Sequence, residues 1–137
     1  MVSIVVPVYN EQLNIEKFYE ATTSVMGALE WEYEIIFVDD GSSDSTPLIL
    51  SRLTQQDERV RALILARNFG HQLAITCGMD NACGDAVITM DGDMQHPPTM
   101  IPELIQKWKE GYDIVQTVRK DTDDAGFFKK LTSKGYY

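Results

Sequence analysis

The sequence predicts an α/β fold in which an open, mostly parallel sheet carries helices on both faces. Three observations support this prediction. Five short apolar runs recur along the 137 residues, segments with helical spacing separate them, and proline or glycine marks several junctions. The apolar runs are continuous rather than alternating, which is typical of parallel strands that are buried on both sides.

Strands and helices are predicted to alternate along the chain. The predicted strands are Val2–Val8, Tyr33–Val38, Val60–Leu65, Asp85–Met90 and Tyr112–Val118. The predicted helices are Ile15–Leu29, one that begins near Thr46, His71–Cys83, and one from Met100 to Gly111. The first helix has apolar side chains at three- and four-residue spacing along one face. Proline or glycine marks a start or an end of each of the others, which agrees with the usual positions of these residues.

The composition indicates one soluble globular domain. A hydrophobic content of 44% is enough to build a packed core in a chain of this length. The 21 acidic and 12 basic residues give a net charge of −9, which opposes the phosphate attraction that supplies most nucleic-acid affinity. Nucleic acid is therefore not an expected partner. The oligomeric state is not readable from the sequence.

The cysteines and the chain ends carry little functional information. Cys77 and Cys83 stand six residues apart, which neither aligns them on one helical face nor forms a CxxC motif, so we expect free thiols in a reducing cytoplasm. The first apolar run is too short for a membrane span and lacks the pattern of a secretion signal. The carboxyl end stops without a clear closing element, and we expect the sequence to be part of a longer protein.

The residues that follow each strand are the candidates for function, because ligands of open parallel sheets bind beyond the carboxyl ends of the strands. After strand one, Pro7 ends the apolar run, and the ring of Tyr9 is followed by the carboxylate of Glu11. A ring and an acceptor suit a nucleobase. An ordinary turn with an acid at a helix start explains this segment equally well.

Asp39 and Asp40 begin an acidic, hydroxyl-rich segment after strand two that ends at Thr46. Turn formation and helix capping explain its glycine, its serines and Asp44. They do not explain the adjacent pair, because two carboxylates at the end of a buried strand repel each other unless a cation or a donor meets them. We therefore expect at least one of the pair to bind a ligand.

Asp91 and Asp93 follow strand four and form the segment that most favours a metal site. Gly92 lets the backbone approach a ligand closely, and Gln95 offers a further oxygen. Hard oxygen donors at this spacing suit Mg²⁺ or Mn²⁺, which take one or two carboxylates and complete their shells with water and substrate phosphates. The alternative is an acidic turn before a helix.

Two histidines and one arginine are less informative. His96, next to proline, and His71, at a predicted helix start, are interpreted as local structural residues rather than bases or metal ligands. Arg67 follows strand three. Its guanidinium either pairs with a diphosphate or with the acidic cluster, or it forms a local salt bridge.

Residues 119–137 reverse the acidic balance of the chain. Five of the twelve basic residues lie here among aromatic ones: Arg119, Lys120, Lys129, Lys130 and Lys134. A solvated helix face and a surface that meets phosphate at an anionic membrane explain this pattern equally well.

Four segments, in this order, resemble the family 2 glycosyltransferases. They are Val5-Val6-Pro7-Val8-Tyr9-Asn10-Glu11, Val38-Asp39-Asp40-Gly41-Ser42-Ser43-Asp44, Arg67-Asn68-Phe69-Gly70-His71 and Asp91-Gly92-Asp93-Met94-Gln95-His96-Pro97-Pro98. Within that family the chain is most similar to the dolichol-phosphate mannosyltransferases and the bacterial undecaprenyl-phosphate glycosyltransferases. Each segment alone is moderately specific, but together they extend over nearly the whole sequence.

The resemblance implies a GT-A fold and the transfer of a sugar from a nucleoside diphosphate to a polyprenyl phosphate, with inversion at the anomeric carbon. UDP is the first expectation for the nucleotide and GDP the second. The base and ribose pocket would be lined by Pro7, Tyr9 and Glu11 together with Asp39 or Asp40.

The resemblance also implies a set of residues around the diphosphate. Asp91 and Asp93 would hold the metal with Gln95 as a further ligand. Gly92 and Arg67 would lie on the donor side. Asp93 and Arg119 would be the catalytic residues, with Arg119 facing the donor or acceptor phosphate.

The sequence departs from the commonest version of the metal motif at two positions. Gly92 and His96 replace the alanine and the aspartate that we would expect there. Neither change removes an expected metal oxygen.

The implied domain organisation divides the chain after residue 118. Residues 1–118 would form the nucleotide-sugar-binding α/β domain, and residues 119–137 would begin an acceptor-side, membrane-proximal region. The longer protein would act at the cytoplasmic face of the membrane. This segment alone would be soluble, and inactive if turnover requires the missing region.

The implied chemistry suits these residues. A metal held by Asp91 and Asp93 neutralises the negative charge that develops on a leaving diphosphate. A phosphate monoester with a second pKa of about 6 is largely dianionic at neutral pH, so the acceptor needs no dedicated general base.

Two other classes of function compete with this interpretation. A receiver-like phosphotransfer domain also uses Mg²⁺ and clustered carboxylates, but its acidic pair follows strand one, where this chain has Tyr9 and Glu11. A non-catalytic module that binds sugar nucleotides is the second alternative, and binding without turnover would identify it.

Overall fold

Four parallel strands form the sheet on which the candidate site is built. In the computed structural model, which describes residues 1–118 and 129–132, they are β1 (Val2–Val8), β2 (Tyr33–Asp39), β3 (Val60–Ile64) and β4 (Ala86–Thr89). Their order in the sheet is β3-β2-β1-β4. All three pairings are parallel, with Val2 opposite Tyr33 and Ala86, so every strand ends at the same edge of the sheet.

Helices cover both faces of this sheet, as predicted. They are α1 (Ile15–Leu29), α2 (Thr46–Gln56) and α3 (His71–Asp80). Phe18 of α1 packs edge to face against Phe37 of β2, with 6.1 Å between the ring centroids. Ala74 of α3 clusters instead with Val5 and Ile36. Because Ile36 and Phe37 are consecutive in a strand, they point to opposite faces, so α1 and α3 lie on opposite sides.

The strand order reverses at β1. The chain moves from β1 through α1 to β2 and through α2 to β3, and α3 then brings it back to β4 on the other side of β1. Such a reversal leaves a crevice beyond the carboxyl ends of the strands, which is the usual ligand position in open α/β sheets.

Close packing of α3 on the sheet requires glycine at position 78. A methyl group at Gly78 would overlap the side chain of Val5 in β1 and touch that of Val38 in β2. The absent side chain lets the helix backbone rest directly on these strands, and the first turn of α3 is thereby held at the carboxyl edge.

The third predicted helix ends earlier than expected. It ends at Asp80 rather than Cys83. Asn81 closes it, because its backbone N–H bonds to the Gly78 carbonyl and its side-chain Nδ2 donates to the carbonyl of Cys77. A side chain that satisfies the last carbonyls makes further helical turns unnecessary.

The chain forms two compact units, Met1–Met100 and Ile101–Tyr137. The second contains α4 (Ile101–Lys109) and an antiparallel pair of strands, β5 (Val115–Val118) and β6 (Lys129–Thr132). The boundary predicted after residue 118 separates a donor-binding domain from an acceptor-side region by function, and it stays a prediction. In the described part of the chain, no helix is long and apolar enough to span a membrane.

The prediction of a fifth strand in the parallel sheet is wrong. β5 pairs with β6 in a separate two-stranded sheet. The polar residues Gln116 and Thr117 interrupt the apolar run, and Ile114 beside it is exposed. A strand with exposed positions suits a ribbon better than the middle of a parallel sheet. The two predictions for residues 119–137 lie largely outside the described residues, although Lys129 and Lys130 belong to β6.

A buried carboxylate fastens the strands together at the amino edge, opposite the candidate site. Glu34 of β2 accepts hydrogen bonds from Ser3 Oγ (2.6 Å), Cys83 N (2.7 Å) and Arg61 Nη1 (3.0 Å). Ser3 Oγ also accepts from Gly84 N at 2.8 Å. Burial opposes ionisation of Glu34, but these hydrogen bonds and the Arg61 charge outweigh it and lower its pKa.

We expect Glu34→Gln to lower the free energy of unfolding by about 1–3 kcal/mol at neutral pH, because it weakens a buried, fully bonded acceptor. Since the folded-state pKa of Glu34 lies below its ordinary value of 4.5, the charge stabilises the fold above that pH and ceases to do so as the pH falls through the folded-state pKa. Urea unfolding between pH 3 and pH 7, in roughly unit steps, measures this effect, and the two proteins should converge at the acid end. Asp85→Asn is the control, because this carboxylate is exposed, so that solvent screens its ion pair with the terminal amine and the pair contributes little to stability. An equal loss at every pH would contradict the assignment of the charge.

We expect Gly78→Ala to destabilise the fold by about 1–3 kcal/mol, because its methyl group would overlap Val5. Gly27→Ala is the matched control within α1, where the added methyl group meets nothing within 4 Å. That change should stabilise the protein by about 0.5–1 kcal/mol through helix propensity. Thermal unfolding of both variants measures the difference, and two shifts of the same sign would contradict the packing of α3.

Candidate functional site

A pocket of about 360 Å³ opens at the carboxyl edge of the sheet. The loops after β1, β3 and β4, the end of β2 and the first turns of α3 form its walls. Its lining residues are Pro7, Val8, Tyr9, Glu11, Asp40, Asn68, Gly70, His71, Ala74, Asp91, Gly92 and Asp93. The tertiary structure therefore brings together three of the four segments that the sequence singled out and one residue of the fourth.

The loop after β1 supplies an aromatic ring and a carboxylate to the pocket. Tyr9 is 49% exposed, which leaves its ring available to a ligand. Glu11 accepts a hydrogen bond from Asn14 Nδ2 at 2.9 Å, which fixes one carboxylate oxygen. Pro7 pairs with Val38 within the sheet, so its position is set by the strand.

The two carboxylates at the end of β2 have different surroundings. Asp39 is fully buried and accepts hydrogen bonds from Ser42 N (3.0 Å) and Ser42 Oγ (2.5 Å), whereas its Oδ2 has no partner among the described residues. Asp40 lines the pocket and accepts from Phe69 N (2.7 Å) and Gly70 N (3.1 Å). Backbone N–H groups of the protein itself therefore donate to both carboxylates. The sequence had instead predicted that a ligand or a cation meets at least one of them.

The loops after β2 and β3 are in direct contact at Gly41. A Cβ atom there would overlap the backbone of Arg67 and Asn68, and the positive φ of 76° also favours glycine. Together with the bonds from Asp40, this contact holds the 67–70 loop against the end of β2. Asn68 and Gly70 of that loop line the pocket.

Arg67 is exposed and does not line the pocket. Its guanidinium lies 4.6 Å from the centroid of the Phe69 ring, which is a cation–π contact. The local salt bridge considered for Arg67 is not among the ion pairs of the described residues. Its role toward the donor stays a prediction.

The loop after β4 contributes two carboxylates. Asp91 and Asp93 both line the pocket, and Asp93 Oδ1 accepts from Gln95 N at 3.0 Å. Gln95 is exposed and does not line the pocket. Gly92 lines it but has a packing role as well, because a Cβ atom there would lie 2.8 Å from Val8 Cγ1 in β1.

Sequence reasoning missed His71 and Asn68 as pocket residues. His71 is the first residue of α3, and its Nε2 lies 3.5 Å from Asp91 Oδ1. Neither the residue type nor its position next to Gly70 distinguishes it from an ordinary helix start. Only the reversal of strand order, which brings α3 and the loop after β4 to the same crevice, reveals the contact. Arg119 lies outside the described residues.

The pocket is acidic. Four carboxylates line it, those of Glu11, Asp40, Asp91 and Asp93, and none of the described lining residues is lysine or arginine. No group of three or more His, Cys, Asp or Glu side chains in the described ranges is arranged to hold a metal by itself. Two carboxylates on one short loop nevertheless fit Mg²⁺ or Mn²⁺, since such ions commonly take one or two carboxylates and fill their shells with water and substrate phosphates.

A parallel α/β sheet with a pocket beyond the carboxyl ends of its strands, where the strand order reverses, is typical of ligand-binding proteins of the open α/β class. Comparison with known protein families gives a more specific class. Glycosyl transferase family 2 matches residues 3–137, and the chain belongs to this family.

Two curated relatives are similar over almost the whole chain. An uncharacterized glycosyltransferase, YkcC of Bacillus subtilis (strain 168), is 48% identical over 135 residues, which are 98% of this chain and 42% of the relative. The undecaprenyl-phosphate 4-deoxy-4-formamido-L-arabinose transferase of Proteus mirabilis (strain HI4320) is 46% identical over 134 residues, 97% of this chain and 41% of the relative. The chain thus spans about two fifths of the length of these relatives.

A solved structure supports the fold. The mannosyltransferase PcManGT from Pyrobaculum calidifontis, in complex with GDP-Man and Mn²⁺, matches with a TM-score of 0.68 at 22% identity, covering 87% of this chain and 35% of that one. The predicted α/β architecture of the GT-A type is confirmed.

We expect Asp40→Ala to loosen the 67–70 loop, because it leaves the amides of Phe69 and Gly70 without their acceptor. Loss of a buried charged acceptor should speed exchange of these two amides by about tenfold to a hundredfold. Hydrogen exchange followed by NMR measures it. Amides in the middle of α3 serve as the internal reference, and unchanged protection at Phe69 and Gly70 would contradict this role of Asp40.

Proposed function

We propose that the longer protein transfers a sugar from a nucleoside-diphosphate sugar to a polyprenyl phosphate, undecaprenyl or dolichyl, with inversion and with Mg²⁺ or Mn²⁺ as cofactor. Membership of glycosyl transferase family 2 supports the reaction class. The name of the Proteus mirabilis relative supports a polyprenyl phosphate acceptor. The acceptor lipid would bring the protein to a membrane, and we propose that it acts at the cytoplasmic face.

One observation carries the metal dependence: the pocket is lined by four carboxylates and, among the described residues, by no lysine or arginine. A nucleoside diphosphate is an anion, and an acidic pocket repels it unless a cation lies between them. Asp91 and Asp93 are the residues that would hold this cation. A bound divalent ion supplies Lewis-acid stabilisation of the charge on the departing diphosphate.

The remaining lining residues suit the nucleoside. Tyr9 presents a half-exposed ring against which a base can stack. Glu11 and Asp40 offer carboxylate oxygens that accept hydrogen bonds from base N–H groups or ribose hydroxyls. Asp40 is already fixed by two backbone amides, so it would meet the ligand without a further ordering cost.

Attack by the acceptor phosphate needs no general base from the described residues. A phosphate monoester is largely dianionic at neutral pH, because its second pKa is about 6, and it attacks without a general base. His71 therefore has no required proton-transfer role, although it lines the pocket. Arg119, together with Arg67, is proposed to meet the donor or acceptor phosphate.

A second candidate function is binding of the sugar nucleotide without turnover by this segment alone. The twelve pocket residues all belong to the unit Met1–Met100, whereas the chain spans about two fifths of its relatives. A donor pocket without an acceptor half would bind and not transfer. Family membership removes the receiver-like alternative.

We expect the chain to bind UDP or GDP in the presence of Mn²⁺ and to bind neither when EDTA removes the metal. Calorimetric titration with UDP, GDP and dTDP, each with Mn²⁺ and with EDTA, measures this and selects the base. Asp93→Ala should lower the affinity with Mn²⁺ by at least about tenfold while the fold stays intact.

Asp80→Ala is the matched control for that substitution. Asp80 is exposed at the end of α3 far from the pocket, so its loss changes the net charge equally without removing a proposed metal ligand. Unchanged affinity of Asp93→Ala with Mn²⁺ present would contradict the metal assignment. Absence of binding to all three nucleotides would contradict a donor pocket confined to this chain.

A further inference from the structure

Two loops at the carboxyl edge are joined by an unusually dense set of hydrogen bonds. We call residues 9–12, after β1, the first loop, and residues 40–46, after β2, the second loop. Seven bonds connect them directly, and each joins positions at least 32 residues apart in the sequence. The first loop carries Tyr9 and Glu11 into the pocket.

Asn10 is the centre of this set. Its Oδ1 accepts from Ser43 N (2.9 Å), Ser43 Oγ (3.4 Å) and Asp44 N (3.3 Å), and its own N–H donates to Ser42 Oγ (2.8 Å). Asn10 also has a positive φ of 50°, which asparagine tolerates better than most other residues. Its backbone conformation and its side chain therefore both serve the same contact.

The second loop is itself anchored to the buried core. Ser42 Oγ, which accepts from Asn10, donates to Asp39 Oδ1 at 2.5 Å, and Asp39 is fully buried at the end of β2. A continuous chain of bonds thus runs from a buried strand end through Ser42 to Asn10. The two residues on either side of Asn10 are Tyr9 and Glu11, which line the pocket.

Three further bonds join the residues after Asn10 to the second loop, and they require the same alignment of the two loops. Glu11 N donates to Thr46 Oγ1 (3.0 Å), Gln12 N donates to Asp44 Oδ2 (3.3 Å), and Ser45 N donates to Gln12 Oε1 (3.1 Å). None of these three involves Asn10 directly. They therefore report on whether Asn10 aligns the loops or merely makes bonds of its own.

We propose that Asn10 is a positioning residue, whose carboxamide fastens the first loop to the second and so holds Tyr9 and Glu11 where the nucleoside of the donor binds. This inference rests on the proposed function for the identity of the ligand. Asn10 need not touch the donor: it sets the direction of its two neighbours and lowers the ordering cost of binding.

Three variants separate the side chain from the backbone. Asn10→Gly keeps access to the positive φ but removes the Oδ1 acceptor. Asn10→Asp keeps an oxygen acceptor and a residue that tolerates this backbone conformation. Glu30→Gly is the matched control, because Glu30 also has a positive φ (56°) and is exposed, but lies at the end of α1 away from the pocket.

The first measurement is hydrogen exchange of the ligand-free protein. We expect Asn10→Gly to speed exchange at Ser43 and Asp44 and also at Glu11 and Gln12, whose amides bond elsewhere, by about tenfold. Asn10→Asp should restore protection. Unchanged protection at Glu11 and Gln12 in Asn10→Gly would overturn the proposal, because the alignment would then not depend on Asn10.

The second measurement is affinity for UDP and GDP with Mn²⁺. We expect Asn10→Gly to weaken binding by at least about tenfold, Asn10→Asp to recover most of it, and Glu30→Gly to bind as the unmodified chain does. Equal affinity of Asn10→Gly and the unmodified chain would overturn the positioning role and leave the proposed function intact. If the unmodified chain binds no nucleotide, a donor pocket confined to this chain is contradicted, and hydrogen exchange alone decides the role of Asn10.

Discussion

The need to compensate two buried carboxylates at the end of β2 determines the shape of the site. Asp39 and Asp40 are almost inaccessible, and a buried charge is costly unless donors surround it. Ser42 folds back onto Asp39, while the amides of Phe69 and Gly70 close on Asp40. The loops after β2 and β3 therefore take conformations that supply donors to Asp39 Oδ1 and to both oxygens of Asp40, whereas Asp39 Oδ2 has no partner among the described residues. The pocket wall is a consequence of this compensation.

The two carboxylates after β4, Asp91 and Asp93, have the opposite character. Asp91 and its neighbour His71 have side chains that are 45% and 57% exposed, and Asp93 is held by a single turn bond from Gln95. In the described part of the chain no buried donor meets the carboxylates of Asp91 and Asp93, which leaves them accessible to a cation. At the carboxyl edge of the sheet, Asp39 and Asp40 thus fix the conformation of the loops, whereas Asp91 and Asp93 are free to bind a ligand. Composition alone does not separate these two roles, since both sets are aspartates at strand ends.

Much of the fold was predictable because its signals are local. Continuous apolar runs identified β1 to β4, and three- and four-residue spacing identified α1. The fifth strand was placed in the wrong sheet, because a short run with two polar residues does not say which partner it pairs with. The residues assigned to the donor and the metal that line the pocket lie at the end of a strand or within a few residues after it: Pro7, Tyr9, Glu11, Asp40, Asp91, Gly92 and Asp93.

The alternation of strands and helices and the acidic segments at strand ends could be predicted without coordinates, because each depends on residue types and short spacings, and the resemblance of four segments indicated the family. The different roles of these residues could be seen only in the folded protein. The tertiary structure buried Asp39 and left Asp91 accessible, it brought His71 to Asp91, and it joined Asn10 to a loop more than thirty residues away. The physical reason is that burial and hydrogen-bond partners depend on strand order and parallel register, which bring distant loops to one edge of the sheet.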